Sequence, residues 1–224
     1  MPPSLPRLTG PSYGPADGKP PRQLVVLLHG LGADGSDLIG LAPHWAKLLP
    51  EAAFLSPDAP YPLDMGPFGR QWFSLQDRSP ESMLAGARAA APILDAFLDE
   101  ALAARGLAPG QLALIGFSQG AMMALHVGLR RAVAPAAIIA YSGALVGAPT
   151  LAAEIRVRAP VLLVHGDADE VVPVRALTQA AQALEAAGVP VERLLRLGLG
   201  HGIDEEGLSR GGAFLKKAFA GASA

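Results

Sequence analysis

The chain contains no cysteine, and that absence excludes a disulfide framework, a thiolate metal site and a cysteine nucleophile. Charge imbalance is missing too: a formal net charge of -2 and a pI near 6.2 give no electrostatic basis for holding nucleic acid or an anionic membrane surface. No apolar run reaches membrane-spanning length without glycine, proline or charge, and the opening Met1-Pro2-Pro3-Ser4-Leu5-Pro6-Arg7 lacks the apolar core of a secretory signal. No internal repeat stands out. The expectation from these absences is a soluble cytoplasmic protein with no nucleic-acid partner and no stable membrane insertion.

What the chain does have is enough apolar material for an enclosed core. Hydrophobic residues make up 50% and charged residues 17% of 224 positions, with a mean hydropathy of +0.31, a composition expected to fold as one domain. Residues 1–22, rich in proline and glycine, read as an extended N-terminal arm or edge hairpin with a turn at Asp17-Gly18, and residues 23–224 as the domain proper. Short apolar runs beginning at Leu24, Ala53, Leu112, Ala136, Val161 and Val191 read as strands. Helical stretches separate several of them. One runs from a Ser36 cap toward Leu49 with an interruption near Pro43; another runs from Ser79-Pro80-Glu81 to Arg105, kinked at Pro92 and ended by Gly106. Two more cover 179–187 and 205–219. This alternation predicts an α/β fold, a mostly parallel central sheet with helices on both faces.

Within that frame, Leu112-Ala113-Leu114-Ile115-Gly116-Phe117-Ser118-Gln119-Gly120 is a buried-strand pattern ending in Gly-x-Ser-x-Gly, followed by helix formers. With 26 glycines and 11 serines in 224 residues, chance alone supplies roughly 0.15 such pentads, so context must decide. A serine on a sharp strand-to-helix turn would project its hydroxyl above the sheet, with glycine on each side where a side chain would collide.

A serine hydroxyl needs a base to take its proton and a third group to orient that base. The run from Val161 ends in His165-Gly166-Asp167-Ala168-Asp169-Glu170, and the run from Val191 ends in Gly198-Leu199-Gly200-His201-Gly202. Both loops follow the C-terminal ends of strands, the edge where parallel sheets build sites. Ser118, Asp169 and His201 therefore form the candidate catalytic set. Asp169 is preferred to Asp167 because a residue so close behind the strand is better placed to tie down the turn. His44 and His126 fall in helices and read as structural, while His29 is expected to brace the loop after the first strand. Backbone N–H groups of Leu31 and Gln119 are the candidate oxyanion donors.

Two other readings compete. Gly30-Leu31-Gly32-Ala33-Asp34-Gly35 with Asp58 downstream has the form of a dinucleotide fingerprint, but that reading leaves the three loops above as separate coincidences. A metal set from His165, Asp167 and Asp169 matches no common ligand spacing. The segment 56–75 fits no period and mixes prolines and glycines with Tyr61, Leu63, Met65, Phe68, Trp72 and Phe73. It reads either as a satellite cluster or as an apolar wall at a substrate.

Taken together, His29-Gly30-Leu31-Gly32-Ala33-Asp34-Gly35, Gly116-Phe117-Ser118-Gln119-Gly120, His165-Gly166-Asp167-Ala168-Asp169 with Val172-Pro173, and Gly200-His201-Gly202 resemble the phospholipase/carboxylesterase family that includes the acyl-protein thioesterases. The resemblance spans about Gln23 to Phe219. It implies an α/β-hydrolase acting without cofactor or metal on a small-molecule acyl ester or thioester, with Ser118 as nucleophile, His201 as base and Asp169 as its orienter. It also implies that Trp72-Phe73, with Met65 nearby, helps bind the acyl group, and it is compatible with a homodimer. Ala121, Glu170 and Ser74 depart from the residues common in the family, and Ser74 bears on substrate preference.

Overall fold

The computed structural model describes residues 5–222; the first four residues of the expected arm lie outside them. In chain order the elements are β1 (Ser12–Tyr13), β2 (Gln23–Leu28), α1 (Gly35–Ile39), α2 (Ala42–Ala46), β3 (Ala52–Leu55), β4 (Tyr61–Pro62) and β5 (Arg70–Gln71). There follow α3 (Pro80–Ala103), β6 (Leu112–Phe117), α4 (Gln119–Gly128), β7 (Ala137–Tyr141), α5 (Leu151–Glu154), β8 (Val161–Gly166), α6 (Arg175–Ala186), β9 (Val191–Arg196) and α7 (Glu205–Ala222).

Seven strands form one sheet in the order β1-β3-β2-β6-β7-β8-β9, and all neighbours are parallel except β1 against β3. Residues alternate between two apolar layers, as the pleat requires. Leu24, Val26 and Leu28 face the cluster that includes residues of α3, α4 and α6, whereas Val25 and Leu27 face the one built with α1, α2 and α7. Because the six parallel strands share a direction, the segments leaving β2, β6, β8 and β9 emerge on one rim. That places the four candidate loops together before any side chain is considered.

Several local expectations are refined. β1 pairs with β3 rather than folding back on β2, so the arm covers the sheet edge, while the turn at Gly18 closes with its N–H on Pro15 O at 3.2 Å. The first helix is capped by Asp34, whose carboxylate accepts from Ser36 N at 2.8 Å. Pro43 lies in the first turn of α2, where its missing N–H costs nothing, and so marks a new start rather than a break. α3 starts from a Ser79 cap and continues through Pro92. α6 begins at Arg175, earlier than the periodicity from Gln179 indicates. Segment 56–75 contains the antiparallel ribbon β4–β5, but its Trp72 and Phe73 are buried in the main apolar cluster. No helix among the described residues is long and apolar enough to cross a membrane.

Candidate active site

Ser118 sits between β6 and α4 with φ 53° and ψ -117°, a conformation an L residue adopts only when its surroundings enforce it, at about 1–3 kcal/mol. The enforcing contacts are visible. Ser118 N donates to Tyr141 O at 2.9 Å, and Ser118 O accepts from Ala121 N at 3.1 Å. A Cβ on Gly120 would lie 1.9 Å from Leu28 O, and one on Gly116 would lie 2.2 Å from Gly120 O. The glycines allow α4 to pack its start directly on β2 and β6, aiming its first N–H groups at the space above the serine.

Asp169 is buried, and both of its oxygens are occupied. Oδ1 accepts from Val171 N at 2.9 Å and Val172 N at 2.8 Å, and Oδ2 accepts from His201 Nδ1 at 2.8 Å. Burial by itself would raise this carboxyl's pKa, but the hydrogen bonds from His201 and the two backbone amides outweigh it and hold the pKa below the ordinary value. Asp169 therefore stays ionised beside the imidazole. Asp167 instead accepts from Gly198 N at 2.6 Å, lacing the loop after β8 to the one after β9. The ring of Phe117 packs against that of His201 at a tilt of 46°, with centroids 4.8 Å apart. Ser118 and His201 line one cleft of about 540 Å³; Leu31 lines it too, and the N–H groups of Leu31 and Gln119 have no acceptor among the described residues.

The Gly-rich loop after β2 is held from several sides. His29 Nε2 accepts from Ala59 N at 3.0 Å, so the ring proton is on Nδ1, which lies 2.7 Å from Gly30 O. Desolvation lowers the pKa of His29, in keeping with a neutral brace. Asp58, the acid that completes a dinucleotide pattern on paper, accepts from Gly35 N at 2.8 Å, and a Cβ on Gly35 would lie 2.0 Å from Ser56 O. Loop packing accounts for that acid and that glycine.

Trp72, Phe73 and Met65, expected at the substrate, do not line the cleft. Met65 is 47% exposed, and Trp72 is fully buried with Nε1 donating to His29 O at 3.0 Å. The cleft's apolar wall comes instead from Leu75, Met83, Met122, Ala144 and Val171. Sequence reading also missed Ser142, buried at the end of β7 with φ 49°, whose Oγ donates to Gly202 O at 3.3 Å and so steadies the His201 loop. The sequence signal for it is weak: a serine one residue past an apolar run.

A parallel sheet carrying a strained serine at a strand-to-helix turn and a carboxylate–imidazole pair on the same rim defines an α/β-hydrolase. Comparison with known proteins agrees. The phospholipase/carboxylesterase family model matches residues 15–219, and the chain belongs to that family of carboxylic ester hydrolases. It is 32% identical over 191 residues to esterase YpfH of Escherichia coli (strain K12), covering 85% of this chain and 80% of that one. To acyl-protein thioesterase 1 of Gibberella zeae it is 26% identical over 210 residues, covering 86% and 89% respectively. The crystal structure of esterase PE8 superposes with a TM-score of 0.90 at 44% identity, covering 95% of this chain and 99% of that one.

Proposed function

We infer that the chain hydrolyses short- to medium-chain acyl esters through an acyl-enzyme on Ser118. The Ser118 hydroxyl attacks the ester carbonyl while His201 takes its proton. Asp169 orients the imidazole and stabilises its cation, and the N–H groups of Leu31 and Gln119 receive the oxyanion. The imidazolium returns the proton to the departing alkoxide. Water, deprotonated in turn by His201, attacks the acyl-enzyme and releases the carboxylic acid. The chemistry calls for neither metal nor organic cofactor, and the reading keeps the cytoplasmic location expected from the sequence.

The observation that carries it is the 2.8 Å hydrogen bond between His201 Nδ1 and Asp169 Oδ2, made by a histidine that shares its cleft with Ser118. A fluorophosphonate probe should add its mass at Ser118, and Ser118→Ala should abolish turnover of p-nitrophenyl butyrate at unchanged Tm. Wild-type turnover in that variant would overturn the assignment, and the absence of any adduct would indicate a binding protein on a hydrolase scaffold. The 26% identity to an acyl-protein thioesterase supports a second reading, thioester hydrolysis by the same groups. An ester and a thioester of the same acyl chain, compared by kcat/KM, decide between them.

A further inference from the structure

Most arginines on this molecule have partners. Arg88 and Arg130 pair with Glu154, Arg196 with Asp204 and Arg210 with Glu192, while Arg70 donates to the carbonyls of Ala59 and Pro60. Arg78 and Arg175 have neither an ion pair nor a side-chain hydrogen bond among the described residues, and both line the cleft that holds Ser118 and His201. They reach it from different places: Arg78 from the segment entering α3, Arg175 as the first residue of α6. Among the described residues no carboxylate side chain lines that cleft. Nearest in sequence to Arg78 are Asp77, whose oxygens are taken up by Ser79 and Ser82 in capping α3, and the exposed Glu81; nearest to Arg175 is the exposed Glu170.

Arg175 also stands against a local rule. The first turn of α6 has no side-chain cap and no acidic residue, and a cation there faces the positive end of the helix dipole. A residue that costs its own helix stability, unpaired and at the mouth of a reaction cleft, is the kind of local conflict that functional sites retain.

We propose that Arg78 and Arg175 form an anion-binding subsite that selects substrates carrying an oxyanionic group, carboxylate or phosphate, remote from the scissile ester. The proposal rests on the reading of Ser118 as nucleophile and adds the substrate's second recognition point. An anion at this place would pair two free guanidiniums in their forked geometry and offset the unfavourable start of α6. Both side chains are exposed, so each contact is worth only a few-fold in affinity. The discrimination should appear in KM rather than kcat, because the charge is held equally in ground and transition states.

The test compares p-nitrophenyl monoesters of dicarboxylic acids of increasing length with neutral monoacid esters of matched length. A second pair sets the butyryl ester of propanediol monophosphate against the monobutyryl ester of propanediol, separating an anion on the acyl side from one on the alcohol side. Wild-type enzyme should favour one anionic series by about tenfold in kcat/KM, with an optimum chain length, and the preference should shrink at high salt. Arg175→Glu, a substitution that suits a helix start and so preserves folding, should bring the ratio of anionic to neutral kcat/KM to about one; Arg78→Ala should reduce that ratio several-fold, and the double variant should abolish the preference. Equal kcat/KM for charged and neutral esters, or a preference that survives the double variant, would overturn the proposal. If Ser118→Ala is inactive in the same assays, such a result removes the subsite alone; if it is active, the reading of the site itself fails.

Discussion

The side-chain oxygen of Gln119 accepts the backbone N–H of Trp72 at 2.9 Å, while its amide nitrogen donates to Phe73 O at 2.7 Å. Gln119 follows the serine directly, and all three residues are buried. One carboxamide thus ties the start of α4 to the segment that supports the Gly-rich loop, since Trp72 also donates to His29 O. Gln119→Leu leaves a buried N–H and a buried C=O without partners, at about 1–3 kcal/mol each. The variant should lose several degrees in Tm and fall at least tenfold in kcat. Differential scanning calorimetry and p-nitrophenyl butyrate kinetics read the two effects, and unchanged values in both would show the clamp to be idle.

A second prediction concerns Gly69, which has φ +91° and would place a Cβ 2.1 Å from Gly32 O. Around it, Gly32 N donates to Arg70 O at 2.8 Å and Arg70 N donates to Ala33 O at 2.9 Å, so the two segments are locked backbone to backbone. Gly69→Ala must push the loop that carries Leu31. With the Leu31 N–H in its proposed role as an oxyanion donor, kcat should fall by about 10- to 100-fold, because misplacing one such donor approaches the cost of deleting it. KM should move little. A variant with a lowered Tm and intact kcat would detach this loop from catalysis.

The parts of the molecule readable from sequence were those fixed by local chemistry. The alternation of apolar runs gave the two-layer α/β plan, and the glycines around Ser118 announced a turn that only small residues permit. Reach favours Asp169 over Asp167 as the partner of a histidine; Asp169 Oδ2 accepts from His201 Nδ1, whereas Asp167 accepts from Gly198 N. What escaped was decided by contacts between distant segments. Aromatic content alone could not tell that Trp72 and Phe73 would turn into the core, because their partner, the Gln119 carboxamide, lies more than 40 positions away. Asp58 looked like a ribose-binding acid for the same reason, its backbone partner Gly35 being 23 residues upstream.

Acid should destabilise this protein through His126 before its carboxylates respond. His126 is buried in α4 with Nδ1 unpartnered; desolvation first, then the neighbouring Arg130, lowers its pKa from 6.5 to about 4, while Glu154 opposes the shift. A histidine whose folded pKa is depressed takes up its proton in the unfolded chain first, so stability is lost as pH falls from 6.5 toward 4, by on the order of 2–3 kcal/mol. Asp169, held low, loses its contribution only below the ordinary carboxylate range. His126→Met, close in volume and without a titrating group, should flatten the fall in Tm between pH 6.5 and 4.5. A wild-type slope in that variant would assign the acid sensitivity elsewhere.

His165 shows how the Asp169 carboxylate is held. Its Nε2 lies 2.8 Å from Val172 O and 3.2 Å from Asp169 Oδ2, the oxygen that also accepts from His201. Neither neighbour can donate to it, so this nitrogen carries a hydrogen. Its N–H fixes the far side of the loop that presents Asp169 and puts a partial positive charge beside the carboxylate. Removing it should loosen the loop that presents Asp169 and with it the hold on the His201 imidazole. His165→Phe should lose about tenfold in kcat, the scale of one hydrogen bond of 1–2 kcal/mol. His165→Gln, which restores an N–H at similar reach, should recover most of that loss. An unchanged kcat in a folded Phe variant would reduce His165 to a core filler, whereas recovery by Gln alone separates hydrogen bonding from packing.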